Sequence, residues 1–310
     1  MPQRHAAPGS ELARSITRRA SRQSYLTIRT LADPAYRADA YALYAYFRWL
    51  DDEIDERLAT PDARLALVER QRGLVAAASV GAPVPALDPH EVLLASLLLG
   101  DGRPRRDAGG ALASVAAMLD VMEFDARRRG RAVAAAELDR YTDDLAVAVT
   151  EALHHCIGHG CAAPTDETRY VAVRGAHVAH MLRDLREDLR AGYVNVPAEV
   201  VGDREPTADA LCTPALCDWV RERVALARED FRVGREYLAR LESRRCRLAG
   251  HAYLARFEWV LDTVESDGYL LRECYPERRT VRGGLAIARR AVGSALGPRP
   301  ETRELVRSVG

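Results

Sequence analysis

The chain has 310 residues, 48% of them hydrophobic, enough to bury a sizeable core in one large domain or two small ones. Its 45 basic and 45 acidic residues cancel at a pI near 7.1, which excludes a global field suited to nucleic acid or to an acidic membrane surface. Every basic residue is an arginine, so Schiff-base chemistry through lysine is excluded as well.

In chain order, the opening MPQRHAAPGSELARSITRRASRQ has scattered arginines and no apolar run of the secretory kind. Residues 1–20 read as a flexible arm, 21–298 as one domain and 299–310 as a tail. From there apolar residues recur at helical spacing and strand-like alternation is nearly absent. The spacing predicts helices over 35–57, 61–78, 89–99, 110–129, 134–158, 166–191, 214–243, 247–266 and 281–296. Breaks fall at Pro61, 81–89, 100–110, 158–164, 202–206 and Pro276, none long enough to separate independent domains. The fold class expected is all-α: a single-domain helical bundle with a central cavity, its site built from side chains on facing helices. No run of about 18 uninterrupted apolar residues occurs, so no transmembrane segment is expected. With no secretory signal and no spanning run the protein is expected to be cytoplasmic, and its six cysteines, which show no CxxC pair, read as reduced thiols.

Two stretches carry the chemistry. In YAYFRWLDDEIDE (44–56), Arg48, Asp51, Asp52 and Asp55 stand at i, i+3, i+4 and i+7 and so share one helical face. Like charges at i, i+4 repel, so the row is either a solvated acidic face or a site for a bridging cation. Mg²⁺, which takes oxygen ligands and is shared with substrate phosphates, fits such a row. The aromatic density of Tyr41, Tyr44 and Phe47 on adjoining turns favours the second reading. In HVAHMLRDLREDLRAGYVNVP (177–197), His177, His180, Asp184 and Asp188 form a second stripe. Two such stripes facing across a bundle would wall a diphosphate with its ions.

ALYAYFRWLDDEIDE resembles the first aspartate-rich motif of the squalene/phytoene synthase family, and LRDLREDLRAGYVNVP resembles its second. The resemblance extends to an SxxSY-like segment at Ser21–Tyr25, to 122–149 and to FEWVLDTVESDGY (257–269). It implies the isoprenoid-synthase fold and Mg²⁺-dependent ionisation of an allylic prenyl diphosphate. Asp51, Asp52, Asp55, Asp184 and Asp188 would hold the ions. Arg48 and Arg183 would contact the departing diphosphate, Ser24 and Tyr25 would lie at the substrate entry, and Tyr41, Tyr44 and Tyr141 would wall the carbocation.

The sequence also departs from that family. Where head-to-head synthases carry VAGxVG, it reads LAVAVT, so Val147 and Thr150 stand in place of glycines and narrow the room for a second chain. His177 and His180 replace a Gln and an Asn, Asn195 an aromatic, Tyr193 an arginine and Phe257 a tyrosine. These changes suggest one activated prenyl diphosphate and a small aromatic acceptor (phenolic, indole or carbazole-like) in secondary metabolism, with His177 or His180 taking the ring proton. The alternatives are head-to-head condensation of two prenyl diphosphates, a cyclising terpene synthase, and a non-catalytic partner of a synthase. The protein is expected as monomer or homodimer with at most peripheral membrane contact: RRRGR (127–131) reads as a solvated helix end that could also sit at a membrane surface, and the amphipathic 282–296 as a segment that packs on the bundle more often than on lipid. The cluster HHCIGHGC (154–161) lacks zinc spacing. Asp143 and Asp144 are surface charges or handles for an acceptor.

Overall fold

The computed structural model describes residues 9–82, 87–100, 103–203, 207 and 213–275. The predicted helix at 281–296 and the tail at 299–310 lie outside the described residues. The element order is α1 (Ser10–Ala20), α2 (Arg22–Leu31), α3 (Arg37–Asp52), α4 (Pro61–Ser79), α5 (Pro89–Leu98), α6 (Gly109–Arg128), α7 (Ala135–Cys156), α8 (Val171–Ala191), α9 (Ala198–Val201), α10 (Pro214–Arg240) and α11 (Arg244–Ser266). A two-residue antiparallel pair, Leu99–Gly100 with Arg103–Pro104, closes the turn after α5. Starts are set by local chemistry. Thr60 and Thr213 cap α4 and α10 with a proline at the first helical position, and Asp88 with Glu91 forms a capping box on α5.

The helices make one bundle in which α8 is central, packed on α7, α10 and α11, while α3 packs on α1 and α5 and α6 packs on α7. A buried polar chain ties α3, α4 and α5: the Tyr46 hydroxyl donates to Gln71 Oε1 at 3.1 Å, and Gln71 donates to Glu91 at 2.9 Å. Arg70 completes it with a bond of 2.7 Å to the same carboxylate. Fully satisfied networks of this kind hold helix register as well as stability.

Residues 10–20, expected as part of an arm, form α1 and belong to the bundle. Ala13 and Thr17 are fully buried against α3, and Arg14 donates to the Tyr25 hydroxyl at 3.0 Å. The packed face carries Ala13, Ile16 and Thr17 at i, i+3 and i+4 among arginines, a short amphipathic pattern that the reading of 1–20 as an arm passes over. No helix among the described residues is long and apolar enough to cross a membrane.

The α8–α10 crossing is close because Gly175 has no side chain: a Cβ there would stand 2.7 Å from the Asp230 Cβ and 3.1 Å from the Ala227 carbonyl. Gly175→Ala gains about 1 kcal/mol of helix propensity and loses about 1–3 kcal/mol to overpacking. The expected outcome is a lower melting temperature by circular dichroism with unchanged helix content.

Candidate functional site

At 100° per residue, Asp51 and Asp55 project from nearly the same side of their helix and Asp52 is turned away. The helix loosens beside them: Glu53–Arg57 is a π-helical turn, closed by Leu58 N–H donating to the Glu53 carbonyl at 2.9 Å. Such turns inside helices recur at functional sites. Asp51 and Asp55 face α8, where His177, His180, Asp184 and Asp188 line the opposite wall. Asp125 and Arg128 of α6 and Tyr141 of α7 make the floor, and a returning strand of chain brings Tyr193 and Asn195. The space so enclosed is about 180 Å³.

Gly192 makes that return possible. Its φ of 91° ends α8 in the left-handed region, and Tyr193 N–H then donates to the Asp188 carbonyl at 2.8 Å. Tyr193 donates its hydroxyl to Asp55, and Asn195 donates to Asp188 at 2.7 Å while accepting from Arg128 at 2.7 Å. Arg128 also donates to Asp125 at 2.7 Å and lies over the rings of Phe124, Tyr141 and Tyr193. One buried guanidinium thus organises three walls of the pocket.

The carboxylates outnumber their cations. Burial, with repulsion from Asp55, pushes Asp51 up to about 7. Burial and then Asp184 push Asp188 up to about 7, and burial raises Asp55 and Asp125 too. Burial also raises Asp184, but hydrogen bonds from Arg183 and His180 outweigh it and hold that carboxyl below the usual range. Burial lowers His177 well below the ordinary imidazole value, and neither of its ring nitrogens has a hydrogen-bond partner among the described residues. Its ring meets Tyr141 edge-on at 5.2 Å. His180 sits 2.9 Å from Asp184.

A pocket lined by five aspartates, four of them with raised carboxyls, fits a hard divalent cation. Among the described residues no three His, Cys, Asp or Glu side chains form a ready cage for a metal ion. The fit is therefore to ions held by one or two carboxylates each and completed by phosphate oxygens and water, the usual habit of Mg²⁺.

A second, apolar cavity of about 360 Å³ lies among α2, α3, α7 and α11, lined by Ser24, Tyr44, Phe47, Ala148, Tyr253 and Arg256 among others. A smaller void of about 40 Å³ next to it shares Leu153, Ile157, Ala249 and Tyr253 and is bounded by Thr150. The wall between cavity and acid pocket is thin: the His180 ring is 6.0 Å from Phe257, which is 5.1 Å from Tyr253.

Several expected positions are placed elsewhere. Tyr41 is buried between α2 and α3, donating to the Tyr25 carbonyl at 3.4 Å, and lines neither space; Tyr25 is held by Arg14. Asp52 and Arg48 lie outside the acid pocket; Arg48 bonds along its own helix to Asp52 and, at 3.0 Å, to Asp51. Arg183 is folded onto Asp184. Tyr141 faces the acid pocket and not the apolar cavity. Val147 lines neither cavity, since Ala148 and Val149 occupy the inward face of α7. Asp143 is exposed on the outside of α7 and Asp144 lines none of these spaces. Asp125 and Arg256 are not singled out in the sequence, and Arg128, read there as part of the solvated helix end RRRGR (127–131), is instead buried in the pocket; the i, i+3 pair of Asp and Arg within MEFDARRRG is the available signal for Asp125 and Arg128.

A family model described as squalene/phytoene synthase matches residues 17–283. The chain belongs to the squalene/phytoene synthase family. Members are prenyltransferases that act on prenyl diphosphates. A presqualene diphosphate synthase of Rhodopseudomonas palustris is 28% identical over 177 residues, 57% of this chain and 58% of that protein. The match to this curated relative thus spans less than two thirds of its length. Among solved structures, a squalene synthase from Alicyclobacillus acidocaldarius aligns at a TM-score of 0.62 and 19% identity, over 85% of this chain and 95% of the other. A dehydrosqualene synthase bound to a ligand aligns at 0.70 and 16%, over 92% and 95%. The architecture is accordingly the all-α isoprenoid synthase fold.

A carboxyl with a raised folded-state pKa contributes stability that is present at low pH and lost as pH rises through that pKa, here through about 7 for Asp51 and Asp188. Asp51 keeps 37% side-chain exposure, so water screens part of the effect. In chelator, the melting temperature of the wild type is expected to fall between pH 5 and 8, and Asp51→Asn to melt higher than wild type at pH 8. Differential scanning calorimetry across that range is the check.

Proposed function

We propose that the protein joins two allylic prenyl diphosphates head to head, using Mg²⁺. The observation that carries the reading is that acid rows from α3 and α8 border one pocket, separated from an apolar cavity by a few aromatic rings. Asp51 and Asp55 on one side, Asp184 and Asp188 on the other, and Asp125 beneath would hold the ions. Bound Mg²⁺ would stabilise the negative charge developing on the departing diphosphate. Asn195 and Tyr193 keep Asp188 and Asp55 aimed inward. The donor chain would lie in the apolar cavity, where Tyr44, Phe47 and Tyr253 offer ring faces to the carbocation and keep water away. His177, neutral and without a partner for either ring nitrogen, would accept the proton released when the new carbon–carbon bond is made.

Family membership and the similarity to a presqualene diphosphate synthase speak for this reading over transfer to an aromatic acceptor. One observation favours the aromatic acceptor: the void beside the main cavity is only about 40 Å³ and is walled by Thr150. A single donor chain with a compact acceptor would need no second tunnel. The test is incubation with geranyl or farnesyl diphosphate and Mg²⁺ alone, with products read by mass spectrometry. A product holding two prenyl chains is expected; diphosphate release that requires an added indole or carbazole would replace this reading with the second. Asp51→Asn and Asp184→Asn are each expected to slow diphosphate release by at least about 100-fold, the scale seen when charge stabilisation is removed.

A further inference from the structure

Arg256 lies on α11 in the wall of the 360 Å³ cavity, beside Tyr44 and Tyr253. It is half-buried, and among the described residues it has no carboxylate partner and no hydrogen bond; its guanidinium carbon lies 5.2 Å from the Phe257 ring. Neighbouring arginines are treated differently. Arg128 is bonded to Asp125 and Asn195, Arg183 to Asp184, and Arg235 to Glu258. Burial, then repulsion from Arg183, lowers the Arg256 pKa, and Asp184 offsets this only in part. Asp184 is already engaged by Arg183 and His180.

A half-buried guanidinium without an anionic partner in a largely apolar wall gives up part of its hydration, a cost that an arriving anion offsets. It would also oppose a carbocation forming in the same cavity. Both costs vanish if a phosphate oxygen sits between them, and the planar fork of arginine suits phosphate. We propose that Arg256 is a substrate-binding residue that takes a phosphate oxygen of a prenyl diphosphate, at the boundary between the acid pocket and the apolar cavity. The proposal rests on the prenyl diphosphate reading above. It gives the site a cation that comes from the chain itself, on the side of the diphosphate away from Asp51 and Asp55.

Titration calorimetry in Mg²⁺ tests it with two probes, inorganic diphosphate and farnesyl thiodiphosphate, on wild type, Arg256→Gln, Arg256→Lys and the surface control Arg232→Gln. The expected result is at least tenfold weaker binding of both probes to R256Q, partial recovery in R256K, no change in R232Q, and melting temperatures within a few degrees of wild type. R256Q binding both probes as wild type does would overturn the proposal. So would equal losses in R256Q and R256K accompanied by a lower melting temperature, which is what a packing role produces. If wild type takes inorganic diphosphate but not the thiodiphosphate, the prenyl reading fails, and the R256Q comparison with inorganic diphosphate still decides whether Arg256 binds phosphate. Wild type binding neither probe overturns both.

Discussion

The constraint on which the rest of the molecule depends is the repulsion among carboxylates held between α3 and α8. Asp51, Asp55, Asp125, Asp184 and Asp188 share one pocket; burial with repulsion from Asp55 pushes Asp51 up to about 7, and burial with repulsion from Asp184 does the same to Asp188. Left to themselves the walls would part. The bundle resists through packing outside the pocket, through the Tyr46–Gln71–Glu91–Arg70 chain behind α3, and through the close glycine crossing of α8 on α10. The fold therefore holds an electrostatic strain at the site and compensates for it elsewhere, which is how a site prepared for cations and phosphate is expected to look.

Around that pocket the chain separates two environments by the thickness of a few rings. On one side are oxygen donors and a caged guanidinium; on the other is an apolar space with aromatic faces. An amphiphilic substrate is matched by such a division, since its charged head and its hydrocarbon tail each find the medium they prefer without the backbone moving. His177, neutral and unpartnered, and Arg256, charged and unpaired, sit in or beside these two media, and both are left with unmet interactions that a substrate could satisfy.

Much of the arrangement was legible in the sequence. Helices α3 to α8, α10 and α11 follow from apolar periodicity and from the proline, threonine and glycine signals at their ends. The stripe of His177, His180, Asp184 and Asp188 projects into the pocket as its spacing required. Reading failed where helical phase alone was asked to decide contacts. Asp52 differs from Asp51 by one residue, and Arg48 captures it on the flank of the helix. Tyr41 is on an inward face, yet inward there means toward α2. Val147 is separated from the cavity by the turn of α7 that presents Ala148 and Val149.

What the sequence determined by itself is the class of fold and the chemistry of its two acidic stripes, because periodicity and residue type are local properties. Which carboxylates meet was decided only by the tertiary structure. Asp125 joins from a third helix, Tyr193 and Asn195 arrive by way of a glycine turn, and Arg256 is stranded beside the cavity because its possible partner is already bonded. Those outcomes depend on how elements far apart in the chain are set against each other, and charge in a low-dielectric pocket is governed by distance in space and not by distance along the chain.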